Sequence, residues 1–326
     1  MPSLLFSKGS GLRRGAAKGW RGFVWMLKII LPVSLLTFLL DFSGCLAHLD
    51  GLLEPLMGGI HLPAMAALPL LAGLLTGIYG GIAAMTVLPF TVQQMTLIAV
   101  FLLIAHSLIQ EGLVQHHSGC PMWMATANRL VAAVLTVLVV GWLLGPETAR
   151  KSAGVAPASA TLAFWPALQA WGIAMVGLCL KMLLIIVGLM IAMELAKQYR
   201  LIDKVVRLIE PLLGLLGLDR QLGMLWLTAA LLGITYGGAL IVEEVREGKL
   251  PPDRLKTLHV SIGINHAMLE DPAIFIPLGI HPFWLWIPRL AVAMLFAHVY
   301  RLWLWMRARR RRVLTGNAIS AGSLKS

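Results

Sequence analysis

The 326-residue sequence has few charged side chains and no alternation of polar and apolar residues. Only 13% of the residues are Asp, Glu, Lys or Arg, whereas 58% are hydrophobic and the mean hydropathy is +0.81. A soluble globular protein carries about 25% charged residues, so this composition excludes a surface that faces water on all sides. The lack of strand alternation argues against an outer-membrane barrel. Several apolar runs of about 20 residues instead predict an all-α, polytopic membrane protein.

Motifs for catalysis and cofactor binding are also missing. The three cysteines, Cys45, Cys120 and Cys179, lie far apart, which predicts neither a disulfide framework nor a CxxC site. The sequence contains no HExxH zinc motif, no GxxxxGK[ST] phosphate-binding loop and no pairing of a nucleophile with a base. We therefore expect neither an enzyme nor a bound cofactor.

Positive charge is in excess, with a net charge of +12. Most of the basic residues lie in the tails 1–22 and 307–326 and in one central stretch, which is the distribution of cytoplasmic loops and tails. We therefore expect a lipid bilayer rather than nucleic acid as partner, with both termini cytoplasmic. The apolar run from Phe23 to Leu40 follows basic residues as in a signal sequence, but it is long enough to remain as a span.

The chain is internally duplicated. Four landmarks recur after 156, 157, 160 and 160 residues: Glu54-Pro55 as Glu210-Pro211, Tyr79-Gly80-Gly81 as Tyr236-Gly237-Gly238, His106 with Glu111 as His266 with Asp271, and Arg129 as Arg289. A nearly constant offset predicts two membrane repeats, 23–145 and 165–306. The linker between them, 146–164, is rich in Ala, Ser, Pro and Gly.

Both repeats contain the same elements in the same order. These are a long apolar helix, a short amphipathic stretch at the membrane interface, an apolar segment broken at Tyr-Gly-Gly, a helix with the histidine, and a helix that begins near the arginine. Their predicted bounds are 23–43, 47–57, 63–87, 90–110 and 128–145, then 169–194, 199–216, 224–243, 254–271 and 284–306.

The topology depends on whether the broken segment crosses the membrane. If it turns back at the glycines, each repeat has three crossings and the repeats are inverted; if it crosses fully, each has four and they are parallel. The inverted arrangement places nine loop cations on the cytoplasmic side of the membrane and two on the outer side, whereas the parallel arrangement places six on the cytoplasmic side and five on the outer side. The nine are Lys197, Arg200, Lys204, Arg207, Arg220, Arg246, Lys249, Arg254 and Lys256, and the two are Arg150 and Lys151. The positive-inside rule therefore favours inverted repeats with re-entrant hairpins.

Broken helices at membrane depth have a functional implication. Irregular backbone is tolerated there only when it is buried in protein or lines a water-filled cavity. Inverted repeats with broken helices are a recurring plan of secondary transporters. The alternative is that the glycines only permit close helix packing.

The motifs of both copies resemble the nucleoside-recognition, or Gate, domain family of bacterial membrane proteins. The resemblance covers about residues 25–306 and is carried by Glu54-Pro55, Gly77-Ile78-Tyr79-Gly80-Gly81 and the segment 105–111, with their counterparts in the second copy. The family includes the spore maturation proteins A and B, and its domain occurs within ferrous-iron transporters. The resemblance implies a multi-pass inner-membrane protein linked to the movement of a small solute or ion. The nucleotide-binding domain and cysteine-containing gate motif of the iron transporters are absent.

Polar side chains within the apolar segments are the candidate site residues, because such groups are costly in a membrane. His266 and Glu270 are four residues apart, and His259 lies two turns earlier, so a continuous helix would place all three on one face. The first copy has Ala99 in place of His259, which predicts an asymmetric site. The full candidate set is His106, Gln110, Glu111, His259, Asn265, His266, Glu270 and Asp271.

Three roles fit this set: binding and release of a proton, binding of a divalent transition metal, or hydrogen bonding to a polar solute. The alternative is a structural network that ties helices together. Arg129 and Arg289 follow Glu111 and Asp271 by the same 18 residues, which predicts a structural ion pair in each copy, with an anion contact as the alternative.

The leading hypothesis is a transporter or permease that moves a nucleoside-like solute or a cation between the two repeats. The lack of an ATPase motif predicts passive or ion-driven movement. The alternative is a membrane scaffold or assembly factor that resembles the spore maturation proteins. The sequence is compatible with a homo-oligomer.

Overall fold

A computed structural model of the protein describes residues 9–145, 163–201, 220–247 and 251–323, together with positions 204, 213, 214 and 218. The described residues form helices and turns, and they contain no β-strand, which confirms the all-α prediction. The first repeat contains α1 (Gly9–Phe42), α2 (Cys45–Gly58), α3 (Ala67–Thr76), α4 (Ile78–Val87), α5 (Val92–Ala105), α6 (Leu108–His117) and α7 (Met122–Leu144). The second contains α8 (Phe164–Gln198), α9 (Arg220–Leu232), α10 (Ile234–Arg246), α11 (Pro252–Ile264), α12 (Glu270–Ala273) and α13 (Pro282–Ser323). Residues 146–162 of the predicted linker 146–164 lie outside the described residues, as do Glu210-Pro211 and most of the stretch 199–216.

Five segments in the described part of the chain are long and apolar enough to cross a membrane, which confirms a multi-pass membrane protein. They are Gly11–Phe42, Met122–Leu144, Phe164–Gln198, Pro282–Arg310 and Val92–His117, the last of which comprises α5 and α6 together. The structure does not contain the single long helix predicted at 254–271, because α11 ends at Ile264 after 13 residues. A helix of that length spans about 20 Å, which is less than the hydrocarbon core of about 30 Å.

Helix α1 begins at Gly9, well inside the segment predicted as a tail, and it packs along α8. A Cβ atom added at Gly15 would lie 2.5 Å from the Ile191 Cα, and one at Gly19 would lie 2.6 Å from the Val187 Cα. Glycines at these positions allow the two backbones to approach closely. The basic N-terminal segment is therefore part of the helix bundle from Gly9 onward. At the other end, α13 continues as a helix through most of the predicted tail 307–326.

The predicted interruption is present in both copies, but its position differs by a few residues. The chain turns at Gly77 (φ 95°) between α3 and α4, and at Gly233 (φ 87°) between α9 and α10. Both φ values are in the range that glycine adopts most readily, because it has no Cβ atom. The Tyr-Gly-Gly motifs follow in the first turns of α4 and α10. There the glycines serve packing, since a Cβ atom at Gly81 would overlap the side chain of Leu102.

A second break occurs beside each histidine, where the sequence predicted continuous helices over 90–110 and 254–271. Ser107 and Ala267 both adopt φ 46°, a left-handed conformation that is rare for residues other than glycine. The Ser107 N–H donates to the Gly73 carbonyl over 3.0 Å, and the Ala267 N–H donates to the Ala229 carbonyl over 3.3 Å. The same carbonyls accept the N–H groups of Gly77 and Gly233. The two breaks of each copy are thus tied together, and this local structure is duplicated.

Candidate functional site

The two histidines meet where α5 and α11 end. Their ring centroids are 5.3 Å apart, and both side chains are buried. His106 Nδ1 lies 2.8 Å from the Leu102 carbonyl, and His266 Nδ1 lies 3.1 Å from the Ile262 carbonyl. A carbonyl oxygen only accepts hydrogen bonds, so each Nδ1 carries the hydrogen and donates it. The hydrogen bonds therefore assign one tautomer to both rings and leave each Nε2 atom to face other groups.

Glu111 joins the two histidines. This carboxylate is 7% exposed and extends from α6 between the two copies. Its Oε1 lies 2.8 Å from His106 Nε2, and its Oε2 lies 3.0 Å from His266 Nε2. Asp271 Oδ2 lies 3.8 Å from His106 Nε2 on the side of the second copy. The result is a buried cluster, hereafter the two-histidine cluster, formed by His106, Glu111, His266 and Asp271.

The two arginines hold the ends of the broken helices. Arg129 donates from Nε to the Ile104 carbonyl over 2.8 Å and from Nη2 to the His106 carbonyl over 2.5 Å. Arg289 makes the same pair of bonds to the carbonyls of Ile264 and His266, over 2.9 and 2.5 Å. Carbonyls at a helix end have no partner within the helix, so a buried guanidinium is well suited to satisfy them.

The predicted ion pair is present for one arginine. Arg129 Nη2 lies 2.9 Å from Glu111 Oε2, whereas the hydrogen bonds described for Arg289 go to backbone carbonyls. Sequence reasoning missed the capping of the helix ends. The signal was available, because Arg129 and Arg289 recur at the same 160-residue offset as His106 and His266.

The cluster and its neighbours contain buried polar atoms without a well-aligned hydrogen bond. They are Glu111 Oε2, Arg129 Nη1, both side-chain atoms of Asn265, His266 Nε2, Asp271 Oδ2 and Arg289 Nη1. Glu111 Oε2 and His266 Nε2 are close to each other, but their approach lacks hydrogen-bond alignment. An unsatisfied buried polar group costs about 1–3 kcal/mol. This concentration of donors and acceptors is typical of a site for a polar ligand, an ion or ordered water.

A cavity of about 530 Å³ leads to Glu270, the residue before Asp271. The Tyr79 hydroxyl of the first copy donates to the Glu270 carboxylate of the second. The cavity lies beside α1 and α8, and its lining combines charged side chains with methionine and leucine: Lys18, Arg21, Gly22, Ile186, Leu189, Met190, Met193, Glu194, Lys197, Leu231, Leu269 and Glu270. Glu194, which is not among the residues predicted from the sequence, is 8% exposed and pairs with Lys18 over 2.5 Å. A lone acid on a long apolar helix was the signal.

Two of the candidate residues lie away from the cluster. Gln110 is exposed, because the break at Ser107 ends the helical register that would have placed it beside His106. His259 is buried, and its Nε2 donates to the Ser118 carbonyl over 2.9 Å. Gln115 returns a bond from Nε2 to the His259 carbonyl over 3.2 Å, so this pair connects α6 to α11. The predicted single face of His259, His266 and Glu270 is absent, since α11 ends before His266.

The remaining candidates lie near the breaks. Asn265 is fully buried at the end of α11. Tyr79 contacts Glu270 and also meets the Trp25 ring edge-on at 5.7 Å. A Cβ atom at Gly238 would lie 2.7 Å from Val114 Cγ1, which indicates close packing between the copies. Gly80 is buried in α4, whereas the side chain of Tyr236 lies outside the described part of the structure.

Ligand atoms for a metal ion converge in the two-histidine cluster. One nitrogen each from His106 and His266 and one oxygen from Asp271 all lie within 4.8 Å of one another. These three residues form a group of potential metal ligands in the described part of the chain, and both copies contribute to it.

Comparisons with known proteins agree with a membrane protein of the Gate family. Residues 179–282, which contain His266, Glu270 and Asp271, match the nucleoside-recognition family, Gate. The chain is 30% identical over 297 residues to the uncharacterized membrane protein YvoD of Bacillus subtilis (strain 168), covering 89% of this chain and 95% of that protein. No solved structure matches. The chain therefore belongs to the nucleoside-recognition (Gate) family of membrane proteins, together with YvoD.

Proposed function

We propose that this protein is a membrane transporter or permease in which a small polar solute or an ion passes between the two repeats. The observation that carries the proposal is the contact of Glu111 with His106 and with His266, at the point where broken helices of both copies meet. Ionisable groups inside a membrane are costly, and they usually mark a pathway for a substrate or ion. Here two imidazoles, two carboxylates and two guanidinium groups are concentrated at one location.

The cavity beside α1 and α8 supplies one half of a pathway. It extends from Lys18, Arg21 and Lys197 to Glu270, which adjoins the two-histidine cluster. The hydrogen bond between Tyr79 and Glu270 crosses from one copy to the other at its inner end. A rearrangement that breaks this bond would extend the cavity toward Asp271 and His106. We therefore place a gate at the Tyr79–Glu270 pair.

The proposed orientation of the repeats is inverted, with both termini on the cytoplasmic side of the inner membrane. The support is the distribution of loop cations, nine inside against two outside, and the duplicated breaks at Gly77 and Gly233. Such broken helices place free backbone groups beside the substrate in transporters with inverted repeats. We expect movement to be passive or driven by an ion gradient, because the sequence contains no GxxxxGK[ST] phosphate-binding loop.

Flux through reconstituted vesicles tests this function. Proteoliposomes with labelled uridine outside, or with an encapsulated dye that Co²⁺ quenches, report solute and ion entry separately. Wild-type protein should show entry in at least one assay, and Glu111→Gln should abolish it. The matched control is Gln110→Ala, one residue away but exposed, which should retain wild-type flux. Equal flux in Glu111→Gln and wild type, or wild-type vesicles no faster than empty ones in both assays, would contradict the proposal.

A membrane scaffold is the second candidate, and the hydrogen bonds of the arginines favour it. Arg129 and Arg289 bond to helix ends, and His259 joins α11 to the Ser118 carbonyl. In a scaffold the cluster would only stabilise the bundle, so its variants would unfold at lower temperature. The double variant His266→Ala with Glu270→Gln separates the two functions. If the variant loses the flux of the wild type and keeps its melting temperature, the result supports transport. If the wild type shows no flux and the variant melts at a lower temperature, the result supports the scaffold.

A further inference from the structure

We infer that His106, Glu111, His266 and Asp271 form a binding site for one divalent transition-metal ion between the two repeats. The inference rests on the proposed function, because it names the ligand of the same site. Binding of the ion is nevertheless measured separately from its movement, so each claim can fail on its own.

The first argument is the orientation of the imidazole rings. Histidines that bind metal through one ring nitrogen usually donate the other N–H to a carbonyl or carboxylate, which sets the tautomer and the ring position. His106 and His266 both donate through Nδ1 to the carbonyl four residues earlier. In the neutral rings, the Nε2 lone pairs are therefore directed at the carboxylates. His106 Nε2 lies 2.8 Å from Glu111 Oε1, so a proton on Nε2 or a bound cation satisfies this contact, and the cobalt titration below distinguishes the two.

The second argument is distance. Nitrogen and oxygen ligands lie about 2.0–2.2 Å from a bound zinc ion, so neighbouring ligand atoms in such a site are separated by about 3–4 Å. The ligand atoms of His106, His266 and Asp271 lie within 4.8 Å of one another, and His106 Nε2 is 3.8 Å from Asp271 Oδ2. Small side-chain rotations are sufficient to bring these atoms to one ion. Asp271 Oδ2 and His266 Nε2 are also buried without a hydrogen bond, so both remain available.

The third argument is the chemistry of the ligands. Imidazole nitrogen combined with carboxylate oxygen suits zinc, iron, nickel and related ions, whereas calcium and magnesium prefer oxygen ligands alone. Because Arg129 pairs with Glu111 Oε2, the Oε1 atom of Glu111 is the one left for the ion.

Cobalt is a suitable probe, because its visible absorption depends on its ligands. Purified wild-type protein in detergent, stripped with a chelator, is titrated with Co²⁺, and binding is followed by absorption and calorimetry. We expect one ion per chain. His266→Gln and Asp271→Asn should each weaken binding by about tenfold or more, the loss seen when even an outer-sphere partner of a metal site is removed.

The matched control is the double variant His116→Ala with His117→Ala. These adjacent histidines are exposed on α6 and are an obvious place for adventitious binding. Their removal should leave the cobalt spectrum and affinity unchanged. A wild-type protein without a stoichiometric ion, or binding that disappears with His116 and His117, would overturn the inference. The wild-type titration decides this even if the cluster variants fail to fold.

The outcomes separate this inference from the proposed function. Stoichiometric Co²⁺ binding without flux of Co²⁺ or uridine refutes transport and leaves the metal site standing. Uridine flux by a wild-type protein that binds no Co²⁺ refutes the metal site and leaves transport standing.

Discussion

The two arginines make nearly the same hydrogen bonds, yet their replacement should have unequal effects on stability. Arg289→Met removes two bonds from a charged donor to the carbonyls of Ile264 and His266. Such bonds contribute about 1.5–3 kcal/mol each, so the expected loss is about 3–6 kcal/mol. Arg129→Met removes the equivalent two bonds and also leaves Glu111 without its guanidinium partner.

The additional loss in Arg129→Met follows from burial. Breaking a buried ion pair by removing one partner costs about 3–5 kcal/mol, because the other charge stays buried without compensation. We expect the lower end, about 3 kcal/mol, since His106 and His266 still contact Glu111. Combining Arg129→Met with Glu111→Gln removes both charges. The double variant should therefore be more stable than Arg129→Met alone.

Unfolding of the detergent-solubilised protein provides the measurement, because its 11 tryptophans report loss of structure by fluorescence. The four proteins that contain or lack Arg129 and Glu111 form a double-mutant cycle, and Arg289→Met is the comparison. Equal destabilisation by Arg129→Met and Arg289→Met would refute the reasoning. So would a double variant whose destabilisation equals the sum of the two single effects, because the pair would then have no coupling energy.

Three further variants and one matched control test the break at Gly77, the gate and the extent of the cluster. Gly77→Ala should lower the free energy of unfolding by about 1–3 kcal/mol, because alanine is strained at a φ of 95°. The control is Gly188→Ala in α8, where there is open space for the added Cβ atom, and this variant should leave the thermal unfolding unchanged. Tyr79→Phe removes the hydrogen bond to Glu270. The variant should admit solute or ion into vesicles faster than the wild type, while its free energy of unfolding falls by about 1 kcal/mol. An unchanged rate of entry would exclude a gate at this pair. Gln110→Ala should change neither stability nor Co²⁺ affinity, and a weaker affinity would show that it reaches the cluster.

The sequence was sufficient to predict the class of protein and the duplication. Long apolar runs and a low charge content determine a membrane location, and constant offsets identify repeats before any contact is known. The interruption near each Tyr-Gly-Gly was also predictable, since glycine is the residue that tolerates the backbone conformation needed there. The exact position of the interruption, at Gly77 and Gly233, was not predictable, because several neighbouring glycines fit the same pattern.

The composition of the site depended on tertiary structure. Sequence spacing determines which residues share a face only while a helix continues, and the left-handed Ser107 and Ala267 end that register just after His106 and His266. Glu111 thereby turns inward and Gln110 outward. Residue types and spacing alone marked the histidines and acids as costly in a membrane. Only the packing of the two copies against each other brings Glu111 to His266, because contacts between distant segments depend on how their helices meet.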